Sequence, residues 1–212
     1  MTAACQIDHL VVTAPDLAAG AEHVRRSLGV TPQPGGEHAR MGTHNSVLKL
    51  GDSLYLEVIA PNPEAPDPGR PRWFELDHLK PDTPPRLATW VARTGDIRST
   101  LAVSSEPLGN VEPMSRDRLS WLISIPPDGS LPLGGVAPAL IEWRTQPHPA
   151  TRMQDAGCSL IRLEAFHPEA PRLSALLRSL SAEAAISVAP LPAGKRPHLV
   201  AHIQTPGGPR TL

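Results

Sequence analysis

The sequence predicts an α+β fold built from repeated βαβββ modules. Short β-branched runs alternate with single amphipathic helices, and proline-rich segments separate the units. The segment "HLVVTAPDL", which starts at His9, has a similar pattern to the segment "TWVARTGDI", which starts at Thr89. Aligning the two places Asp16 over Asp96, and both aspartates are at helix-cap positions. Short strands with one helix per unit are typical of α+β proteins rather than of parallel α/β sheets.

The first module covers residues 5–61. A β-branched strand at 7–13 ends at Pro15, and Asp16 caps a helix that begins at Leu17 and ends at Gly29. Apolar residues recur along this helix at helical spacing, and charged residues fill its other face. Turn residues then separate three further strands, which we expect at 37–41, 44–50 and 54–60.

A proline-rich linker, residues 62–86, leads to a second module at 87–146. It contains a strand at 87–93, a short helix at 97–103 and strands at 119–125 and 139–144. A third unit at 157–212 contains the clearest helix, which begins near Pro168 and carries leucines on one face. We expect this C-terminal βαβββ-like unit to pack in the same globule.

Composition narrows the functional classes. The chain has 212 residues, a formal net charge of -1 and no run of Lys and Arg, which argues against nucleic acid as a partner. No stretch is long and apolar enough to cross a bilayer, so we expect a cytoplasmic protein without a membrane partner. The sequence contains no persuasive Ser-His-Asp order, phosphate loop or dinucleotide fingerprint.

The string "IDHLVVTAPDLAAGAEHVRRSLGV", followed by "MGTHNSVLKLGDSLYLEVIAP", resembles the glyoxalase-like branch of the vicinal-oxygen-chelate superfamily. "PMSRDRLSWLISIP" and "PALIEW" are similar to the second half of that branch, so the resemblance spans nearly the whole chain. It implies curved mixed sheets around a cavity, and a small-molecule substrate or ligand as the partner. It also implies that a homodimer could form, because related folds often pair modules between chains. The superfamily includes lyases, isomerases, extradiol dioxygenases, thiol transferases and non-catalytic drug-binding proteins, so the fold does not give the reaction.

The resemblance also implies metal ligands on the first and last strands of a module. In this chain those positions hold His9 and Glu57 in the first module, and Thr89 and Glu142 in the second. Thr89 departs from families that supply a further histidine there, and His44 could substitute for it. The ligand set to be tested is therefore His9, Glu57, His44 and Glu142, with Zn, Mn, Ni or Fe as the divalent metal.

The residues themselves support part of this set. Strand periodicity turns Glu57 away from the helix-covered face, where a buried carboxylate needs a partner such as a metal or a histidine. The alternatives are that Glu57 faces solvent or pairs with Lys or Arg, and that His9 is only a hydrogen-bonded histidine. His44 could equally be a hairpin residue, and Glu142 could simply pair with Arg144 on the same strand face.

Three residues are candidates for substrate binding: Arg93, Tyr55 and Trp121. Arg93 could offer a cation to a carboxylate, or be an ordinary surface arginine. Trp121 is expected in the core or in a pocket wall. The remaining histidines show no ligand-like spacing: His23, His38, His78, His148, His167, His198 and His202.

Three functions follow. The first is a metal-dependent lyase, isomerase or dioxygenase in which Glu57 is the catalytic residue that moves a proton. The second is a non-catalytic binding protein of the bleomycin-resistance type. The third is an interaction module that uses the C-terminal unit as a pairing surface.

Overall fold

A computed structural model describes residues 5–212. Each of three successive units has the order strand, helix and three strands. The elements are β1 (Gln6–Thr13), α1 (Leu17–Leu28), β2 (Gln33–His38), β3 (Thr43–Gly51), β4 (Leu54–Pro61), β5 (Arg86–Arg93), α2 (Ile97–Val103), β6 (Asn110–Arg116), β7 (Leu119–Ile125), β8 (Ala139–Trp143), β9 (Ser159–His167), α3 (Ala170–Ser179), β10 (Ser187–Pro190), β11 (His198–Thr205) and β12 (Gly208–Thr211).

The first two units share one curled eight-stranded sheet in the order β2-β3-β4-β1-β5-β8-β7-β6. β1 lies near the centre, parallel to β4 and antiparallel to β5, with Val11 opposite both Glu57 and Thr89. The curl brings the two edge strands together, so that the side chain of Arg116 in β6 lies over Gly36 in β2. The α+β class and the curved sheet expected from the sequence are thereby confirmed.

An ion cluster holds the two edges of the curl together. Glu112 of β6 accepts hydrogen bonds of 2.6 Å from Arg40, which follows β2, and from Arg70 in the 62–86 segment. Arg70 binds both carboxylate oxygens, the fork geometry that gives an arginine-carboxylate pair its directionality.

Alternation along the strands gives the sheet two different faces. On the convex face, Leu10, Val12 and Trp90 are fully buried in the larger apolar core, which also contains Val24 of α1. Burying a leucine or valine side chain stabilises the fold by roughly 1.5–3 kcal/mol. The concave face carries His9 of β1 and Glu57 of β4, so the site has the buried apolar core directly behind it.

Helix α1 follows its sequence signals at both ends. Asp16 accepts a hydrogen bond of 2.7 Å from the backbone N–H of Ala19, and Gly29 ends the helix at φ 74°. A left-handed residue at this position is readily supplied by glycine. The predicted cap and stop are confirmed.

The third unit forms its own four-stranded sheet, in the order β10-β9-β11-β12. Leu176 of α3 and Ile203 of β11 join the core of the convex face together with Leu10. This unit therefore supports the curled sheet from the outside and does not line its concave side. No helix within residues 5–212 is long and apolar enough to span a membrane.

Two boundaries differ from the sequence expectation. The strand expected at 37–41 runs instead over Gln33–His38 and is followed by a 3-10 turn, Ala39–Met41. Strand β6 was not marked by the pattern, because it contains Pro113 and mostly half-exposed or exposed residues. Proline is tolerated there because β6 is an edge strand.

The proline-rich 62–86 segment does more than connect modules. Its 3-10 turns at Trp73–His78 bury Trp73, Phe74 and Leu76 against the concave side of the sheet. Phe74 and Glu75 both have left-handed backbones, with φ of 59° and 57°. Such conformations cost non-glycine residues free energy and are often found beside functional sites.

Candidate functional site

A small cavity lies on the concave face of the eight-stranded sheet. Its free space is about 30 Å³, room for a water molecule or two. Any larger occupant requires a side chain of the wall to move. The residues that line it are His9, His38, Asn45, Tyr55, Glu57, Trp73, Phe74, Arg116, Trp121, Ile123, Ile141 and Trp143.

His9 and Glu57 meet at the floor of this cavity. His9 Nε2 and Glu57 Oε2 are 3.6 Å apart, and both side chains are about 95% buried. That distance is too long for a hydrogen bond and leaves both atoms able to engage a third group. β1 and β4 are neighbouring parallel strands, which is why the two side chains share one face.

Asp8 fixes His9 from behind. Its Oδ1 lies 2.8 Å from His9 Nδ1, which favours the tautomer with the proton on Nδ1 and leaves the Nε2 lone pair toward the cavity. Asp8 Oδ2 accepts from the indole N–H of Trp143 at 2.9 Å and lies 3.0 Å from His148 Nε2. Burial raises the pKa of Asp8, but the hydrogen bonds from His148 and His9 outweigh it and hold that pKa well below its usual range.

Asn45 fixes Glu57 in the same way. Its Nδ2 donates a hydrogen bond of 2.6 Å to Glu57 Oε1, while its Oδ1 accepts from the backbone N–H of Gly36 at 2.7 Å. A side chain at Gly35 would collide with this amide oxygen. Glu57 Oε1 is therefore engaged and Oε2 is presented to His9.

His38 and Arg116 complete the polar side of the cavity. Arg116 Nη1 lies 3.4 Å from His38 Nε2 and donates to Asn45 Oδ1 at 3.3 Å. Burial lowers the pKa of His38 to about 4, although the Glu57 carboxylate, 4.0 Å away, acts in the opposite direction. His38 is therefore neutral at pH 7.

Aromatic rings form the rest of the wall. Tyr55 stacks on His9 with ring centroids 4.6 Å apart, and Trp73 meets His38 edge-on at 5.1 Å. Trp121 and Trp143 pack against each other at 5.4 Å. Burial, followed by the carboxylates of Asp8 and Glu57, raises the pKa of Tyr55 well above its usual range, so its phenol stays protonated.

Four of the residues proposed from the sequence line this cavity: His9, Glu57, Tyr55 and Trp121. The other three lie elsewhere. Arg93 contacts Asp8 Oδ2 from outside at 3.4 Å, in a separate cleft. Glu142 accepts from the backbone N–H of Ile97 at the start of α2 and pairs with Arg144 at 3.0 Å, as the strand alternation predicted.

His44 is also separate from the cavity lining. Its neighbour Asn45 faces the cavity, so alternation turns His44 toward the opposite side of β3. His44 Nε2 is buried and has no hydrogen-bond partner within the described chain. His38 is the second imidazole next to Glu57.

The donor atoms of His9 and Glu57 are of the kinds that divalent metals bind. An imidazole nitrogen and a carboxylate oxygen suit Zn, Mn, Fe or Ni, and a carboxylate behind the histidine is common for metal-bound imidazole. His9 and Glu57 therefore fit as two ligands that leave positions open. Within residues 5–212, no three His, Cys, Asp or Glu side chains gather closely enough to hold an ion by themselves.

Sequence reasoning missed several residues of the site. Asp8 precedes His9 directly, and its place inside a β-branched run was a readable signal of a buried carboxylate. Asn45 shares the alternation of β3 with Val47, which faces Glu57. His38, Arg116 and Trp73 gave no such signal, because only the curl of the sheet and the folding of the 62–86 segment bring them here.

Residues 7–181 match the family described as a glyoxalase-like domain. No curated protein matches the chain significantly. A hypothetical protein from Staphylococcus aureus is similar in structure, with a TM-score of 0.57, 14% identity and coverage of 84% of this chain and 75% of that one.

Two methylmalonyl-CoA epimerase structures also match. One, in complex with methylmalonyl-CoA and NH4+, has a TM-score of 0.47 and 18% identity, and covers 69% of this chain and 100% of that one. The other, from Mycobacterium tuberculosis, has a TM-score of 0.41 and 18% identity, and covers 67% and 89%. At these identities the likenesses concern the fold alone.

Proposed function

Since the chain belongs to the glyoxalase-like domain family, we propose that it is an enzyme that moves a proton between adjacent carbons of a small oxygenated compound, as an isomerase or a lyase, with a divalent metal held through His9 and Glu57. The vicinal-oxygen-chelate superfamily generally uses such metals. The observation that carries the proposal is the pair itself. His9 Nε2 and Glu57 Oε2 face one cavity 3.6 Å apart, each fixed from behind by a partner of its own.

Each residue has a defined task. Glu57 would use Oε2 both toward the ion and as the base, because a carboxylate oxygen has two lone-pair sites and Asn45 holds only Oε1. It takes the proton from one carbon of the substrate and returns it to the adjacent carbon. His9 presents Nε2 because Asp8 binds Nδ1. Tyr55, which stays protonated, keeps the His9 ring in its plane by stacking. A bound ion would polarise an oxygen of the substrate and stabilise negative charge there.

Isomerase or lyase chemistry is favoured over dioxygenase chemistry. A two-histidine, one-carboxylate iron site would require His38 as the second imidazole, because His44 faces the other side of β3. Arg116 Nη1 lies 3.4 Å from His38 Nε2, where the iron would have to bind. A cation at that position opposes metal binding by His38.

The test is metal content, measured by elemental mass spectrometry on untagged protein purified without chelators. We expect near-stoichiometric metal in the wild type and its loss in both His9→Ala and Glu57→Gln. Glu142→Gln is the matched control, because it removes a carboxylate that the sequence also suggested but that lies outside the cavity. Circular dichroism would establish that all variants fold.

The outcomes separate the candidates. Metal that survives both His9→Ala and Glu57→Gln, or that Glu142→Gln removes, contradicts the proposed site. A wild type that takes up no Zn, Mn, Ni or Fe favours the second candidate, a non-catalytic binding protein. The aromatic wall around His9 supports that candidate, because aromatic walls can bind planar compounds without catalysing a reaction.

A further inference from the structure

We propose that the compound bound in this cavity is a small planar carboxylic acid, and that Arg116 and the indole N–H of Trp73 bind its carboxylate. The inference rests on the proposed function, since the acid would be the compound whose carbon-bound proton Glu57 moves. It adds the substrate class and the two residues that select it.

Arg116 is a cation whose contacts in the described chain are all with neutral groups. Its Nη1 reaches Asn45 Oδ1 at 3.3 Å and His38 Nε2 at 3.4 Å, both long for hydrogen bonds. Arg40 and Arg70, by contrast, bind Glu112 of the same strand β6 at 2.6 Å. The half-buried guanidinium of Arg116 thus keeps its donor fork for another acceptor, and a carboxylate matches that fork.

Backbone geometry brings this guanidinium into the cavity. Arg116 comes from the edge strand β6 and crosses over Gly36 of the opposite edge strand β2. A Cβ at Gly36 would lie 2.9 Å from Arg116 Cδ and 3.2 Å from its Nε. The absence of a side chain at position 36 therefore allows Arg116 to reach the site.

Trp73 supplies a second, independent sign of a missing acceptor. The residue is 4% exposed, lines the cavity, and has an indole Nε1 that is buried with no hydrogen-bond partner among residues 5–212. Buried indole N–H groups usually have a partner, as those of Trp90 and Trp143 do here. An oxygen of the bound acid would satisfy it.

The charges are arranged so that the acid would lie with its carboxylate away from Glu57. Asn45 stands between the two, accepting from Arg116 at Oδ1 and donating to Glu57 at Nδ2. An acid held at Arg116 would place its neighbouring carbons toward Glu57 and His9. Because the free space is only about 30 Å³, the acid enters only when a side chain of the wall moves, and the rings of Trp121 and Phe74 then favour a flat body.

The experiment uses a panel of planar carboxylic acids that carry a proton on a carbon next to a carbonyl, such as phenylpyruvate, each paired with its neutral methyl ester. Binding to the full-length protein is measured by saturation-transfer NMR and by quenching of tryptophan fluorescence. We expect the acids to bind at least about 10-fold more tightly than their esters. Arg116→Gln should weaken the acids by about 10- to 100-fold and the esters little, and Arg116→Lys should restore only part of the preference.

Two further variants make the test specific. Trp73→Phe removes the indole N–H but keeps an aromatic ring, and should weaken the acids by about 3- to 10-fold. Arg118→Gln removes the same charge from an exposed position in the same hairpin, and should change nothing. Esters that bind as well as acids, acids that bind Arg116→Gln as well as the wild type, or no acid binding at millimolar concentration would each overturn the inference.

The proposed enzyme function and the proposed ligand class can be tested separately. His9→Ala and Glu57→Gln should retain the preference for acids while losing metal and turnover. Acid binding that depends on Arg116 in a protein without metal or turnover would uphold the ligand class and remove the enzyme. Metal binding and turnover without a preference for acids would uphold the enzyme and contradict the ligand class.

Discussion

The first and second modules have the same element order but line the cavity with different chemistry. The first supplies the ionisable pair, His9 from β1 and Glu57 from β4. The second supplies the cation Arg116 and the wall residues Trp121, Ile141 and Trp143. The two modules therefore share an order of strands and helix but contribute different chemistry to the cavity, and the difference lies in a few side chains on the concave face.

Register shows where the two modules diverge. In the first, Val11 of β1 lies opposite Glu57 of β4, whereas Val91, which aligns with Val11, lies opposite Ala139 of β8. By strand pairing, the counterpart of Glu57 is Ala139 rather than Glu142. The sequence alone does not show that Ala139 rather than Glu142 is the counterpart of Glu57, because the loop before β8 determines which residue of β8 pairs with Val91.

The largest expected effect comes from Asp8, whose counterpart in the repeat is the buried Ala88. Asp8→Ala should lower the free energy of unfolding by about 3–5 kcal/mol, because the groups that now bind a fully buried carboxylate lose their acceptor. Urea denaturation followed by tryptophan fluorescence would measure it. A loss below about 1 kcal/mol would show that Asp8 is dispensable and that the two modules are more alike than proposed.

Acid should destabilise the first module through His38. Its pKa is about 4 in the folded protein against an ordinary value of 6.5, so the unfolded chain binds the proton first. The stability from neutral His38 is complete above pH 6.5 and falls as the pH drops toward 4, by on the order of 3 kcal/mol. Denaturation of chelator-treated protein at several pH values would show this slope.

The His38→Gln variant gives the control for this pH dependence. It cannot take up the proton in that range, so its stability should change less between pH 6.5 and 4. An equal slope in both proteins would assign the acid sensitivity to other groups.

Thr89→His tests whether the second module can regain a ligand. Thr89 is 1% exposed and lines a neighbouring cavity next to Trp73 and Phe74, whose free space is only about 10 Å³. The larger ring should overpack that space, lower stability by about 1–3 kcal/mol and leave metal affinity unchanged. Metal titration by calorimetry would decide, and tighter binding would break the contrast between the modules.

The smallest effect is expected at Glu142. Glu142→Ala removes the acceptor of the buried Ile97 N–H at the start of α2 and should cost about 1–2 kcal/mol of stability. Ligand binding and turnover should be unchanged, because Glu142 faces away from the cavity. A loss of activity without a loss of stability would return Glu142 to the candidate site.

How far the sequence could predict this molecule depends on the range of the interactions. Helix α1 and its caps follow from local signals at Asp16 and Gly29, and period-two alternation put His9 and Glu57 on their faces. Strand β6 escaped because an edge strand with Pro113 lacks the apolar alternation of a central one.

The site was readable only where it lies on neighbouring central strands. Arg116 and His38 come from opposite edges of the sheet and meet only because it curls. Trp73 comes from a proline-rich segment that reads as a linker, but its ring is buried against the concave face. Contacts between such distant segments have no local pattern to announce them.

The most direct test of the central claim is solvent deuterium incorporation, followed by proton NMR, at the carbon next to the carbonyl of small 2-oxo and 2-hydroxy compounds. The wild type with its metal should exchange this proton, Glu57→Gln should be slower by about 10²- to 10⁴-fold, and Glu142→Gln should match the wild type. Exchange that persists in Glu57→Gln, or no exchange by the metal-loaded wild type with any compound that it binds, would contradict the account.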